Sequence, residues 1–301
     1  MEFLYLLEKI RFPLLDELML MVTQLGEETA FLATAIITFW CFDKNRGYYL
    51  MTVGFIGTIL NQFLKLLCRI PRPWMLDPDF TIVEEAREAA SGYSFPSGHS
   101  QSAVGTFGGL AVFVKNATLR WVLITIAVLV PFSRMYLGVH TPADILVGSG
   151  CAVAMIFGFR FVSDGKGFGV MLGIMSVLAV VFICFVEFFP FPDDLDPHNY
   201  ASAVKNAYTL SGCIFGMVIV YLIDKKWVNF PVKAIWWAQL IKVAVGLGLV
   251  LAVKSGSKAI LNDLFGDSWG TFIRYMLIVL VAGILWPLTF RGFSKLGKKE
   301  S

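Results

Sequence analysis

Nine apolar runs, at about 28–43, 48–68, 98–115, 120–138, 142–163, 167–189, 204–223, 232–253 and 270–290, follow one another along the 301-residue chain. A helix needs roughly 20 mostly apolar residues to cross the hydrocarbon core, and in lipid only helices and closed barrels satisfy their own backbone groups. The pattern predicts an all-α, polytopic transmembrane helical bundle of about nine spans. Composition agrees, with 57% hydrophobic and 16% charged residues, against roughly 45–50% apolar (glycine included) and ~25% charged types in soluble domains. Mean hydropathy is +0.70. A soluble globule could not cover its surface with so few polar residues, and a disordered chain would be far less hydrophobic.

The first 26 residues read differently. Leucines, Phe3 and Met21 are interleaved with Glu2, Glu8, Lys9, Arg11, Asp16 and Glu17, and Pro13 divides the segment. That charge density argues against both a span and a cleavable signal peptide. Two readings stand: an amphipathic helix lying in the membrane interface, or a partly buried cap on the bundle. The net charge of +3 gives no reason to expect nucleic acid, so any phosphate recognition must come from a local cluster. Cys41, Cys68, Cys151, Cys184 and Cys213 show no metal-type spacing and read mostly as small buried hydrophobes.

Lysine and arginine set the expected orientation. One set of connections, with the C-terminus, carries Lys44, Arg46, Lys115, Arg120, Arg160, Lys166, Lys225, Lys226, Lys233, Arg291, Lys295, Lys298 and Lys299. The opposite set is acidic, with Asp77, Asp79, Glu84, Glu85, Glu88, Asp193, Asp194 and Asp196. The C-terminus is therefore expected in the cytoplasm, and the loops near 69–97 and 140 on the outer face.

Three polar clusters fall on that outer face. Lys65 and Arg72-Pro73 end the second run, Pro96-Ser97-Gly98-His99 opens the third, and Ser133-Arg134, His140 and Asp144 join the fourth to the fifth. A helix start at Ser97-Gly98-His99 would present free N–H groups and a positive dipole end to an oxyanion, which glycine lets approach the backbone. Thr141-Pro142-Ala143-Asp144 reads as a second helix start, with Thr141 as N-cap and Asp144 at the third position. Asp144 then lies one turn from His140, within reach of its imidazole. Lys65, Arg72 and Arg134 supply cations suited to phosphate oxygens. Each cluster alone has a plain explanation, such as a snorkelling lysine, a loop boundary or an interfacial histidine. Together they do not, since the four residues of the third cluster alone would recur by chance in about one sequence of this length in several hundred.

The three clusters resemble the signature of the type 2 phosphatidic acid phosphatase superfamily: Lys-x6-Arg-Pro, Pro-Ser-Gly-His and Ser-Arg-x5-His-x3-Asp, complete here over roughly residues 10–165. The resemblance implies that His140 is the nucleophile, forming a phosphohistidine, with Asp144 orienting it. It makes His99 the general acid and later the base for water, and Lys65, Arg72, Ser97, Gly98 and Arg134 the groups that hold the phosphate. On chemistry alone the two histidines could exchange roles. The implied chemistry needs no cofactor and no metal. The domain reading is then an interfacial segment at 1–26, a phosphatase-like catalytic membrane core at 27–165, and additional spans of unassigned role at 166–301.

The expected function is hydrolysis of a lipid phosphate or pyrophosphate on the extracytoplasmic face of the plasma (cytoplasmic) membrane, with the lipid and the bilayer as partners. The alternative is a lipid phosphotransferase that passes the phosphoryl group to an acceptor hydroxyl. A vanadate-dependent haloperoxidase shares the oxyanion pocket but is soluble or peripheral, and a transporter or scaffold fits less well when every signature position is present. Undecaprenyl pyrophosphate, phosphatidic acid, phosphatidylglycerol phosphate and sphingoid-base phosphates all suit the resemblance. The extra C-terminal spans give an outline like that of sphingosine-1-phosphate phosphatases, on span count alone.

Other features carry competing readings. Trp74, Met75 and Phe80 suit the membrane interface, and Glu84 to Glu88 suggest a short surface helix over the site, against a solvated connector. The spans over 204–290 could line a lipid route, form a homodimer contact or buttress the core. Lys242 inside the eighth run is either a headgroup contact or, as we favour, a lysine salt-bridged inside the bundle. Asp193, Asp194, Asp196 and His198 read as a solvated acidic loop rather than a metal site.

Overall fold

The structure, a computed structural model, describes residues 1–90, 92–192 and 195–296. Asp193, Asp194, Lys298 and Lys299 lie outside the described residues. Among those described, all regular structure is helical. The principal helices are α1 (Glu2–Glu8), α2 (Pro13–Gln24), α3 (Glu28–Ile37), α4 (Lys44–Cys68), α5 (Pro73–Leu76) and α6 (Gly98–Ala103). They are followed by α7 (Ala117–Tyr136), α8 (Pro142–Gly158), α9 (Phe168–Phe188), α10 (Pro197–Ile223), α11 (Trp236–Gly256), α12 (Lys258–Leu280) and α13 (Phe290–Phe293).

Among the described residues six stretches are long and apolar enough to span a bilayer: Lys44–Leu76, Ala117–Tyr136, Phe168–Phe188, Pro197–Val228, Trp236–Gly256 and Lys258–Phe293. A seventh is reached if α2 and α3, bent by 50° to one another, count as one. The nine expected runs therefore overstate the full-length spans. The first run forms α3 and the turn after it, and reaches spanning length only when α2 is counted with it. The third forms α6, a single wide π turn over Val104–Gly108 and one further turn, and the fifth forms α8, only 17 residues long. The runs at 98–115 and 142–163 both begin at a polar cluster. Helices whose ends are buried in protein need not match the bilayer thickness.

The chain packs as two compact units. The first comprises Met1–Thr34, Leu50–Arg160 and Pro190–Ala203, the second Ala35–Tyr49, Phe161–Phe189 and Val204–Ser301. In the first unit, Met19, Val83, Ala86, Ala90, Tyr136, Leu137 and Val139 form one apolar cluster, with Trp74 and Phe132 against it. A second joins Ala103, Phe107, Ala127 and Val130. The loop after α5 is thus a packed connector, with Phe80 and Val83 buried and two short 3₁₀ turns, Glu84–Ala86 and Glu88–Ala90, in place of a surface helix. Of the three residues suited to the interface, only Met75 is exposed.

The N-terminal segment docks through its polar side. Arg11 donates to the carbonyls of Tyr136 (2.8 Å) and Thr81 (2.7 Å), Tyr136 to Asp16 (2.6 Å), and Tyr5 to Asp77 (2.8 Å). Gly138, with φ +82°, lets the chain turn beneath Arg11, since a Cβ there would lie 2.8 Å from its Nη2. Leu6, Ile10, Phe12, Leu14, Leu18 and Met21 stay exposed, an apolar side suited to lipid.

In the second unit, Lys44 pairs with Asp224 at 2.8 Å, and Tyr48 stacks on Phe168 with centroids 4.3 Å apart. Lys242 is fully buried; its ammonium donates to the carbonyls of Trp40 (2.8 Å) and Val232 (3.0 Å) and lies 4.1 Å from the Phe290 ring centroid. The lysine is thus held inside the bundle by carbonyls and a ring, in place of the expected salt bridge to a carboxylate. α12 breaks at Gly266, whose φ of 74° and ψ of 169° are not helical.

Candidate active site

Two helix starts build the site. Thr141 caps α8 through a reciprocal box: its hydroxyl accepts from the Asp144 N–H (3.3 Å), and the Asp144 carboxylate accepts from the Thr141 N–H (2.7 Å). Ser97 caps α6, its Oγ accepting from the Ser100 N–H (3.3 Å) and hydroxyl (2.8 Å). The first-turn N–H groups this cap does not use belong to Gly98 and His99. The two starts are locked together: the Ser97 N–H donates to the Asp144 carbonyl at 3.1 Å. Gly148, one turn further along α8, permits this approach, because a Cβ there would stand 2.5 Å from the Ser97 carbonyl oxygen.

His140 sits in the turn between α7 and α8, only 2% exposed. Its Nε2 accepts from Arg72 Nη1 at 2.9 Å, which leaves the proton on Nδ1, 3.4 Å from Asp144 Oδ2. Burial pushes the imidazole pKa well below the usual histidine range, and the positive charges of Arg72, Arg134 and Lys65, with His99, push it the same way. His140 is thereby held neutral, with a lone pair on Nε2. Asp144, 1% exposed, is also bonded by the Ser94 hydroxyl, whose Oγ stands 3.4 Å from His140 Nδ1.

The cations are held differently. Arg72 is anchored by the carbonyls of Gly92 and Val139, both at 2.8 Å, and Lys65 by the Tyr93 carbonyl at 2.9 Å. Arg134 is fully buried, yet only Nη1 has a partner, the Thr23 hydroxyl at 2.9 Å, while Nε and Nη2 have none. His99 Nε2 is likewise buried without a partner. Buried donors are nearly always satisfied, and leaving one unmet costs about 1–3 kcal/mol, more when charged. Such an arrangement is stable when an anion completes it.

All eight residues singled out from the sequence thus lie in one unit, at two adjoining helix starts and the cations around His140. Among the described residues no group of three or more His, Cys, Asp or Glu side chains could hold a metal. Sequence reasoning missed Ser94, which lies just before the Pro-Ser-Gly-His motif in Tyr-Ser-Phe-Pro and had that proximity as its only signal. It also missed Asn61, which donates to the Pro96 carbonyl (3.3 Å), and Thr23.

A polytopic helical membrane protein with a histidine–carboxylate pair among buried cations has, as a class, the parts of a membrane phosphoryl-transfer site. Comparison with known proteins places the chain in a family. The PAP2 superfamily matches residues 46–166, and the transmembrane extension of PAP2 superfamily phosphatases matches 208–299; the chain belongs to this superfamily. It is 32% identical over 153 residues to undecaprenyl-diphosphatase BcrC of Bacillus subtilis (strain 168), covering 49% of this chain and 73% of that protein. It is 32% identical over 161 residues to phosphatidylglycerophosphatase B of the same organism (49% and 75%). An undecaprenyl-diphosphatase of Sulfolobus acidocaldarius is 28% identical over 137 residues (44% and 64%). No solved structure matches the chain.

Proposed function

We propose that this protein is an integral membrane lipid phosphatase that cleaves a lipid phosphate or diphosphate through a phosphohistidine on His140. The observation that carries the reading is the set of unmet buried donors, Arg134 Nε and Nη2 with His99 Nε2, beside a neutral His140. Phosphate oxygens satisfy those donors together with Lys65, Arg72, Ser97 and the N–H groups at Gly98 and His99. As Arg72 turns from Nε2 to the phosphate, the His140 lone pair is freed for in-line attack. Asp144 stabilises the charge that develops on the ring through Nδ1–H, and Ser94 holds that carboxylate in place. His99 protonates the departing lipid oxygen and then takes a proton from the water that cleaves the P–N bond, restoring His140. Burial, with the charges of Arg134, Lys65 and Arg72, pushes the free His99 imidazole well below the usual histidine range, and bound phosphate offsets the charge part of that shift and so favours the protonated ring. The transition-state charge is met by fixed cations and dipoles, and no step calls for a metal.

The names of the relatives favour a polyprenyl diphosphate, with phosphatidylglycerol phosphate next. The basic loops and C-terminus against the acidic connections favour action at the outer face of the plasma membrane. The test is release of inorganic phosphate from these lipids by detergent-solubilised protein in chelator. His140→Ala is expected to abolish it, a loss of more than about 10³-fold in kcat. Retained turnover in that variant, or transfer to an acceptor hydroxyl without phosphate release, overturns the reading.

A further inference from the structure

Residues 190–203 lie between the two stretches that match the family, 46–166 and 208–299, yet they pack in the compact unit that holds the site. One side chain and one backbone amide of this stretch engage the segment 92–94. Asn199 Oδ1 accepts from the Tyr93 N–H at 3.0 Å, and the Asp196 N–H donates to Tyr93 Oη at 3.2 Å. Asp196 also caps α10, its Oδ1 accepting from the Asn199 N–H at 2.8 Å, which fixes Asn199 on the first turn. Asn199 is 93% buried, and the approach is close: Gly92 has φ +76°, and a Cβ there would lie 2.4 Å from Asn199 Oδ1.

The segment so held is the anchor of the site. The Gly92 carbonyl receives Arg72 Nε, the Tyr93 carbonyl receives Lys65, and the Ser94 hydroxyl reaches Asp144 beside His140. The Ser94 N–H is tied in turn to the Ile70 carbonyl at 2.8 Å. Asn199 fixes the Gly92–Tyr93 peptide, whose carbonyl is the one that receives Arg72, and the adjoining Tyr93–Ser94 peptide, which receives Lys65, is held between that peptide and the Ile70 carbonyl.

We propose that Asn199 is a positioning residue for phosphoryl transfer, supplied by a segment outside the family-matched stretches and acting through 92–94 on Lys65, Arg72 and Ser94. The proposal rests on the phosphatase reading above. Asn199 Nδ2 makes no hydrogen bond, so Asn199→Asp keeps the acceptor that matters, whereas Asn199→Leu removes it at similar volume.

The experiment measures kcat, KM and orthovanadate inhibition of the full-length solubilised protein, well below the thermal midpoint of each variant. Asn199→Leu is expected to lower kcat about 10- to 100-fold with KM within about twofold, because misplaced cations weaken charge stabilisation in the transition state. Orthovanadate, which mimics the five-coordinate phosphorus, should weaken in proportion. Asn199→Asp should stay within about threefold of wild type, and Asp196→Ala, which loosens only the backbone of Asn199, should fall between. Wild-type kcat in Asn199→Leu, equal loss in Asn199→Asp, or a rise in KM alone overturns the proposal. If Asn199→Leu fails to fold, Asp196→Ala decides: unchanged kcat and vanadate affinity reject the proposal. Absence of phosphate release in wild type overturns the phosphatase reading instead, and orthovanadate affinity across the variants still decides the role of Asn199.

Discussion

Arg134 and Lys242 are both cations with no exposed surface, in a chain built largely of apolar helices, yet they are held in opposite ways. The Lys242 ammonium has two carbonyls and the face of Phe290 around it. Arg134 has one hydroxyl, and two of its guanidinium nitrogens face nothing that accepts a proton. Burial of charge in a membrane protein is expensive in both cases. Where the protein satisfies the charge itself, the residue serves the fold. Where it leaves donors open beside a nucleophile, the missing partner is a ligand.

The comparison breaks first at Arg134. Arg134→Met should lower kcat by about 10²–10³-fold, the loss expected when one preorganised donor to the transition state is removed. Because the arginine is under-satisfied in the free protein, the thermal midpoint should hold or rise. A large fall in the midpoint with kcat intact per folded molecule would place Arg134 with Lys242 as a structural cation.

A second test addresses the join between the two helix starts. Gly148→Ala places a methyl group 2.5 Å from the Ser97 carbonyl, whereas Gly150, two residues along the same helix, has nothing within 4 Å of its added Cβ. Alanine at either position should favour α8 by about 1 kcal/mol on helix propensity alone. We expect Gly148→Ala to lose about tenfold or more in kcat/KM as the oxyanion-binding turn is displaced, and Gly150→Ala to be neutral in activity and slightly stabilised. Equal behaviour of the two would mean that the Ser97 turn tolerates movement.

These contrasts show which parts of the molecule are legible in sequence. Local chemistry is: the Thr141–Asp144 capping box and the Ser97 cap follow from residue types three apart, and the apolar runs follow from bilayer thickness. What fails is whatever depends on distant partners. Thr23 meets Arg134 across 111 positions, and Asn199 meets Tyr93 across 106. Ser94 reaches Asp144 across 50. No period or composition links such pairs. The loop after α5 reads as polar because its charges are dense, yet Phe80, Val83, Ala86 and Ala90, spaced three or four apart, are buried. Span length misleads too: the run at 142–163 starts its helix where expected, at Pro142, but α8 ends at Gly158 with non-helical backbone at Phe159, a break that hydropathy does not register.

Lys242 supplies the smallest expected effect on catalysis and so the sharpest control. Lys242→Met keeps the length of the side chain and removes the ammonium, leaving the carbonyls of Trp40 and Val232 without that donor. The Val232 carbonyl keeps Gln239 Nε2 at 2.8 Å, so the loss falls mainly on the Trp40 carbonyl, and at about 1–3 kcal/mol for that buried acceptor the thermal midpoint should fall by a few degrees. The folded fraction should nonetheless turn over at the wild-type kcat and KM, because the partners of the ammonium, Trp40 between α3 and α4, Val232 before α11 and Phe290 in α13, are none of them residues of the site. A kcat loss exceeding the loss of folded protein would show that satisfied donors are no guide to a structural role. Arg134 would then need a bound anion, and not its open donors, to be read as a ligand-binding group.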